Sequence, residues 1–351
     1  MIALNIAGQT DVGQRRRDNQ DTFIRKPLWS EHDALLAVID GVGGYAGGDR
    51  AAEIARAAVE TYMTKPTGDT LTMLREAVVY ANNQIAQQRK TDPKLAQMCC
   101  VLTVAVVDVK VRRLLYVHVG DTRLYRFRAG TLDKLTHDHS IVGVREDANQ
   151  LTEREAMNHP RRNEILRDVG SAEHRVDDPD FLESDETDFR PGDVLLLCSD
   201  GLTDMLTRAQ ITDVLTQDTS LEEQIAELIR RANEAGGQDN ITVVLAQFPA
   251  LTDAVAGDEP AESTPVAPLP NSSETPPVTS PASDRRKVVG LGFVLMGIFL
   301  AGLAWWNREP AETPKPLVSP PATIQPDSSV VQPDSLTLLS PTVPTDSART
   351  P

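Results

Sequence analysis

Three apolar runs in this 351-residue chain close on an aspartate: LLAVID at Asp40, LYVHVGD at Asp121 and VLLLCSD at Asp200. Two further acids precede apolar runs, Asp239 in GGQDNITVVL and Asp21 in RRRDNQDTFI. Aspartate and glycine are ordinary turn residues, so one such acid would mark no more than a turn or a helix cap. Five at the ends of buried strands point to more. Carboxylates gathered in one place repel, and burial raises their pKa values, so a site that keeps them ionised needs cations. Oxygen donors without histidine or cysteine suit Mg²⁺ or Mn²⁺ rather than zinc. Gly41, next to Asp40, has no Cβ to obstruct the approach of its carbonyl to an ion. Arg15, Arg16 and Arg17 stand just before Asp21. A guanidinium beside two metal ions suits a phosphoryl group, because it bonds two oxygens at once. Strand ends lie on both sides of a fold, so the sequence alone leaves open whether the five acids meet.

The elements that must carry these residues are short. Ala34–Ile39, Val101–Val107, Leu114–Val119, Val194–Cys198 and Ile241–Phe248 are apolar, mostly β-branched runs and predict strands. RAAEIARAAVETYM has a helical period, with Ala51, Ile54, Ala55, Ala58, Val59 and Tyr62 on one face. A second helix is predicted from about Leu71 to Arg89. A third follows SLEE, where Ser220 and Glu223 have capping-box spacing. Strands and helices do not alternate, which favours mostly antiparallel sheets with helices packed on them over a doubly wound parallel sheet.

Composition bounds the rest. A net charge of −16 excludes a general nucleic-acid binder, which carries a basic stripe. Cys99, Cys100 and Cys198 form no CxxC motif and read as reduced, buried thiols. The N-terminal MIALNIAGQTDVG has no basic or long apolar stretch, so no signal peptide is expected. Proline divides the chain, with 17 of 24 in the last 102 residues. Residues 1–249 read as one domain. Residues 250–287 read as a disordered acidic linker ending in Arg285, Arg286 and Lys287, because its composition cannot bury enough surface to offset chain entropy. Residues 288–306 are nineteen uncharged, mostly apolar residues, about 28 Å as a helix, close to a bilayer core. Trp305 and Trp306 mark its far end. The three basic residues before it predict residues 1–287 in the cytoplasm, and residues 307–351, rich in Pro, Ser and Thr, as a disordered tail outside.

The blocks TDVGQRRRDNQDTF (10–23), LLAVIDGVGGYAGGDRAAEIA (35–55), LLYVHVGDTRLYRFRAGTLDKLTHDHS (114–140), VLLLCSDGLTDML (194–206) and GGQDNITVVL (236–245) together resemble the bacterial metal-dependent type-2C serine/threonine protein phosphatases, in that family's order. The resemblance implies an α+β fold, a sandwich of two antiparallel sheets flanked by antiparallel helix pairs. It implies that Asp40 bridges two Mn²⁺ or Mg²⁺ ions and that the Gly41 carbonyl binds one. Asp200 and Asp239 complete a metal shell, and Asp21 sits at or near the metals. Asp121, with Asp200, matches an additional metal position, and Arg16 matches the arginine that holds the substrate phosphate. Residues between about 140 and 180 correspond to a variable flap beside the site.

The implied chemistry is direct hydrolysis of phosphoserine and phosphothreonine on protein substrates by a water activated between the two ions, opposing a membrane Ser/Thr kinase. Two residues depart from the family pattern. Gln20 stands where many members have glutamate, and Val42 where some have a histidine proposed as general acid; His118, His137 and His139 are the nearby candidates to replace it. Alternatives are a catalytically silent phosphatase-like domain that tethers phosphoproteins at the membrane, a nucleotide-binding module built on GVGGYAGG, and a receptor whose outer tail controls the phosphatase. GVGGYAGG lacks the GK[ST] of a P-loop.

Overall fold

The apolar runs are strands buried on both faces. The computed structural model describes residues 4–42 and 47–250, and in it two five-stranded antiparallel sheets face each other. One has the order β1 (Asn5–Asp11), β10 (Ile241–Gln247), β9 (Val194–Cys198), β6 (Arg123–Arg128), β7 (Thr131–Lys134). The other has the order β2 (Thr22–Pro27), β3 (Asp33–Val42), β4 (Cys99–Asp108), β5 (Arg113–Val119), β8 (Glu183–Asp188).

Period-2 alternation sorts each strand between two cores. Along β3, Ala34, Leu36 and Val38 point between the sheets, where they meet Leu195, Leu197 and Val244. Leu35, Ala37 and Ile39 point the other way, onto α1 (Gly48–Tyr62) and α2 (Thr70–Thr91). Along β10, Val244 and Ala246 enter the inter-sheet core, while Ile241, Val243 and Leu245 pack against α7 (Leu221–Glu234). With both faces covered, these strands read as continuous hydrophobic runs rather than alternating ones.

The helices form as their sequences dictate. The Ser220 hydroxyl and the Glu223 carboxylate close the capping box of α7, and Leu221, Ile225, Leu228, Ile229 and Ala232 make its buried stripe. Each fully buried Leu or Ile there contributes about 1.5–3 kcal/mol. The Asp69 side chain accepts from the Thr72 N–H to start α2. Two short helices, α3 (Ile141–Asp147) and α4 (Glu153–Met157), lie between β7 and β8; α5 (Asp200–Thr203) and α6 (Arg208–Leu215) follow β9.

Two local features differ from the sequence reading. The β3 strand does not stop at its acid: Asp40, Gly41 and Val42 remain paired with Val101, Cys100 and Cys99. Asp200 opens a short helix instead of ending a strand. The edge strand β8, ESDETD, has no apolar pattern to betray it; charge on an edge keeps it from pairing with another chain.

Antiparallel pairing decides where the chemistry gathers. The chain runs toward one end of the sandwich along β3, β5 and β9 and leaves that end along β2 and β10, since Thr22 pairs with Ile39 and Val243 with Cys198. No helix of the described residues is long and apolar enough to cross a membrane. The expected linker, the apolar segment 288–306, the tail, and the glycine-rich turn at 43–46 lie outside the described residues.

Candidate active site

Six of the seven residues singled out in the sequence line one cavity of about 170 Å³: Arg16, Asp40, Gly41, Asp121, Asp200 and Asp239. The seventh, Asp21, lies beside Asp40, within reach of its charge. Its Oδ2 accepts from the Ser199 hydroxyl at 2.8 Å and the Thr242 hydroxyl at 2.6 Å.

The cluster is electrostatically costly as it stands. Burial, opposed by those two hydroxyl bonds and reinforced by Asp239, pushes Asp21 up to about 6. Burial, with Asp138 and Asp204 nearby, pushes Asp121 up to about 7. Asp40 rises well above the carboxylate range through burial and the charges of Asp21, Asp200, Asp121 and Asp239. Asp200 rises likewise, from burial and from Asp204, Asp121, Asp239 and Asp21. Asp200 Oδ1 has no hydrogen-bond partner among the described residues. Buried carboxylates arranged this way call for positive charge between them.

Arg16 supplies one cation at the rim, Nη2 to Asp239 Oδ2 at 2.6 Å. Its loop is held by the Gly237 carbonyl, which accepts from the Gln14 and Arg15 amides at 2.8 and 3.2 Å. Asn240 fastens the same loop: its Nδ2 donates to the Val12 and Asp18 carbonyls at 3.0 Å, and its Oδ1 accepts from the Gln20 amide at 2.8 Å. The backbone around Gly41 is tight. A Cβ there would lie 2.2 Å from the Gly48 carbonyl oxygen and 2.6 Å from that of Gln20, so no side chain fits beside Asp40.

Residues 11–246 match the family Protein phosphatase 2C. The chain belongs to the protein phosphatase 2C family. The protein phosphatase PhpP of Streptococcus pneumoniae is 36% identical over 250 residues, covering 69% of this chain and 96% of that one. PstP, a serine/threonine protein phosphatase of Mycobacterium tuberculosis, is 34% identical over 268 residues, 74% of this chain and 49% of that one. The crystal structure of the M. tuberculosis phosphatase PstP/Ppp superposes with a TM-score of 0.62 at 35% identity, covering 70% of this chain and 99% of that one. The two antiparallel sheets described above are the phosphatase 2C fold.

Within this phosphatase 2C domain, several working residues escape a reading of strand ends. Ser199, Thr242 and Asn240 are buried polar groups whose only sequence signal is a polar residue inside or beside an apolar run. Asp204 lies one helical turn beyond Asp200. It accepts from Arg162 Nε at 2.7 Å, while Arg162 Nη2 reaches Gln238 Oε1 at 2.7 Å. Arg162 comes from the expected flap, whose Asn163 and Ile165 line the cavity.

Val42 lines the cavity as well, and His118, His137 and His139 do not. His118 is fully buried, with Nδ1 2.9 Å from the Thr103 hydroxyl and Nε2 3.0 Å from the Gly120 carbonyl. His137 is held by Glu183 at 2.9 Å. Ligand atoms of His118, His139 and Glu183 lie within 4.8 Å of one another, a second grouping with the residue types of a metal site.

Proposed function

We propose that this protein hydrolyses phosphoserine and phosphothreonine on protein substrates, with the oxygen cage holding two Mn²⁺ or Mg²⁺ ions. The observation that carries this reading is the convergence of the carboxylates and Arg16 on one cavity. Relatives named as serine/threonine phosphatases in Listeria and Mycobacterium support it, as does a PstP catalytic domain solved with two manganese ions. The donors fit such ions: all are oxygens, an Asp200 oxygen has no partner among the described residues, and Asp40 and Asp200 stand well above the ordinary carboxylate range without a cation. In this reading Asp40, the Gly41 carbonyl, Asp200 and Asp239 hold the two ions. Asp21 backs Asp40, and Asp121 with Asp200 holds a third. When bound, the ions supply Lewis acidity toward the phosphoryl oxygens and lower the pKa of water.

The remaining work falls to the chain. Arg16 donates two N–H groups to phosphoryl oxygens and orients phosphorus for in-line attack. Ser199 and Thr242 fix the Asp21 carboxylate, and Asn240 fixes the loop that carries Arg16. The described cavity lining contains no serine, threonine, cysteine or histidine, which supports direct hydrolysis without a phosphoenzyme on such a residue. Val42 donates no proton, and His118, His137 and His139 lie outside the cavity lining, which supports water as the proton donor to the departing alkoxide.

The test is turnover of phosphoserine, phosphothreonine and phosphotyrosine peptides with Mn²⁺ and with chelator. The first two are expected to turn over only with metal, and Arg16→Ala to lower kcat/KM about 100-fold. Activity that survives both chelation and Arg16→Ala overturns the reading.

The same proposal takes residues 288–306 as one helix in the bacterial plasma membrane, tethering a cytoplasmic catalytic domain opposite a membrane Ser/Thr kinase. Nineteen uncharged residues, flanked by Arg285–Lys287 and closed by Trp305 and Trp306, support it. Deleting residues 288–351 is expected to move the protein from the membrane to the soluble fraction with peptide turnover unchanged. Full-length chain released from membranes by a high-salt wash speaks against the anchor.

A further inference from the structure

Asp121 follows a turn residue, Gly120, whose backbone is held from both sides by buried histidines. Gly120 has φ +108°, and a Cβ there would lie 2.2 Å from Val101 Cβ. Val101, on β4, is the strand partner of Asp40 on β3, so this close contact sets the turn against the strand next to the one that carries the central acid. The Gly120 carbonyl accepts from the His139 amide at 2.6 Å and faces His118 Nε2 at 3.0 Å. The Gly120 amide donates to His139 Nδ1 at 3.2 Å.

Hydrogen-bond accounting assigns both tautomers. Gly120 O is only an acceptor, so His118 carries its proton on Nε2. Its Nδ1 then accepts from the Thr103 hydroxyl at 2.9 Å, and Thr103 Oγ1 accepts from the Thr122 hydroxyl at 2.8 Å. The Gly120 N–H needs a lone pair on His139 Nδ1, so His139 carries its proton on Nε2, facing Glu183 Oε2 at 3.8 Å. Arg167 Nη1, 3.3 Å from that nitrogen, competes for the ring's single lone pair, but this half-exposed guanidinium can donate to solvent whereas the buried Gly120 amide cannot. Burial keeps both rings neutral, pushing His139 down to about 3 and His118 in the same direction. On His118 both the donor and the acceptor are committed; on His139 the acceptor is committed to Gly120, and the donor faces Glu183 beyond hydrogen-bond distance. His118, His139 and Glu183 have the residue types of a metal site, but the His118 ring has no free lone pair and the His139 lone pair is taken by Gly120.

We infer that His118 and His139 are positioning residues for Asp121: they clamp the Gly120 peptide groups and so aim the Asp121 carboxylate into the cation cage. His139 also ties the flap to this turn, since its own carbonyl accepts from the amide of Leu166, within the flap, at 2.7 Å. The consequence for metal rests on the reading of Asp121 as a cation ligand given above; the clamp itself does not.

The test uses paired amide substitutions in the metal-stripped full-length protein. Gln places an amide nitrogen where His has Nε2, and Asn places an oxygen where His has Nδ1. His118→Gln and His139→Asn therefore keep the bonds to Gly120, whereas His118→Asn and His139→Gln lose them. Amide exchange at Gly120 in chelator is expected to be about 10-fold faster in the second pair than in the first. Mn²⁺ titration followed by electron paramagnetic resonance is expected to show the Asp121-dependent class of sites weakened about 10-fold in the second pair; Asp121→Asn identifies that class.

The favoured amide is opposite at the two positions, which general damage to the core would not produce. The same ranking at both, or no change in exchange, overturns the clamp. If Asp121→Asn removes no class of Mn²⁺ site, the assignment of Asp121 as a ligand fails while exchange still decides the clamp. If one variant fails to fold, the pair at the other position decides.

Discussion

Asp40→Asn is expected to abolish Mn²⁺-dependent turnover while making the metal-free protein more stable. The two effects share a cause. Asp40 sits among Asp21, Asp121, Asp200 and Asp239, and burial together with their charges raises its pKa well above the carboxylate range. Without cations, a carboxylate there must either stay protonated at neutral pH or face its neighbours' charge, and each costs free energy that an amide of the same shape avoids. With cations, that charge becomes the attraction that holds them. Losing a central metal ligand removes several kcal/mol of transition-state stabilisation, so kcat/KM toward a phosphothreonine peptide should fall about 10³-fold or more. In chelator, urea unfolding should show a gain of about 1–3 kcal/mol. A variant that loses activity and is also less stable in chelator would show that Asp40 supports the fold by some route other than metal binding.

Raising the pH from about 5 to about 7.5 is expected to destabilise the metal-free protein and to strengthen stabilisation by Mn²⁺. Asp21 is raised to about 6 and Asp121 to about 7, each from the ordinary aspartate value of 3.8. Between the unfolded and folded pKa values the native state binds more protons than the unfolded chain, so ΔG of unfolding falls as pH rises. The stabilising contribution is complete below the unfolded value and gone above the folded one. Asp21 alone accounts for a change on the order of 1–2 kcal/mol between pH 5 and pH 7.5. Asp138 works in the opposite sense: Arg123 and Lys134 hold it below the usual carboxylate range against its burial, so its contribution is lost only below about pH 4. Mn²⁺ inverts the trend in the upper window, because binding requires ionised carboxylates and releases their protons. Thermal unfolding at the two pH values, in chelator and in Mn²⁺, reads both slopes. A metal-free protein equally stable at both values would mean that the acids are not gathered as described.

Much of this site was legible because its residues break local patterns. An acid closing an apolar run, or a glycine beside it, stands out in a sequence since neither belongs to a strand interior, and five such breaks marked the residues that line the cavity or back it. The helix stripe of α7 and its Ser220–Glu223 cap were likewise visible, because a cap and a 3.6-residue period are local properties. The edge strand β8 was not, since its pairing with β5 depends on a partner about 70 residues away and leaves no apolar trace.

The sequence by itself determined the kinds of donor available: carboxylates and a backbone carbonyl suited to a hard cation, with an arginine near them. Only the tertiary structure decided that they meet. Antiparallel registry brings the ends of β3, β5 and β9 to the starts of β2 and β10, and no local pattern encodes that distance. It also decided what surrounds the donors. Ser199 and Thr242 hold Asp21, Asn240 fastens the Arg16 loop, and His139 reaches back 19 residues to grip Gly120. Each of these hydrogen bonds joins two residues remote in the chain, and the partner becomes known only when both are in place.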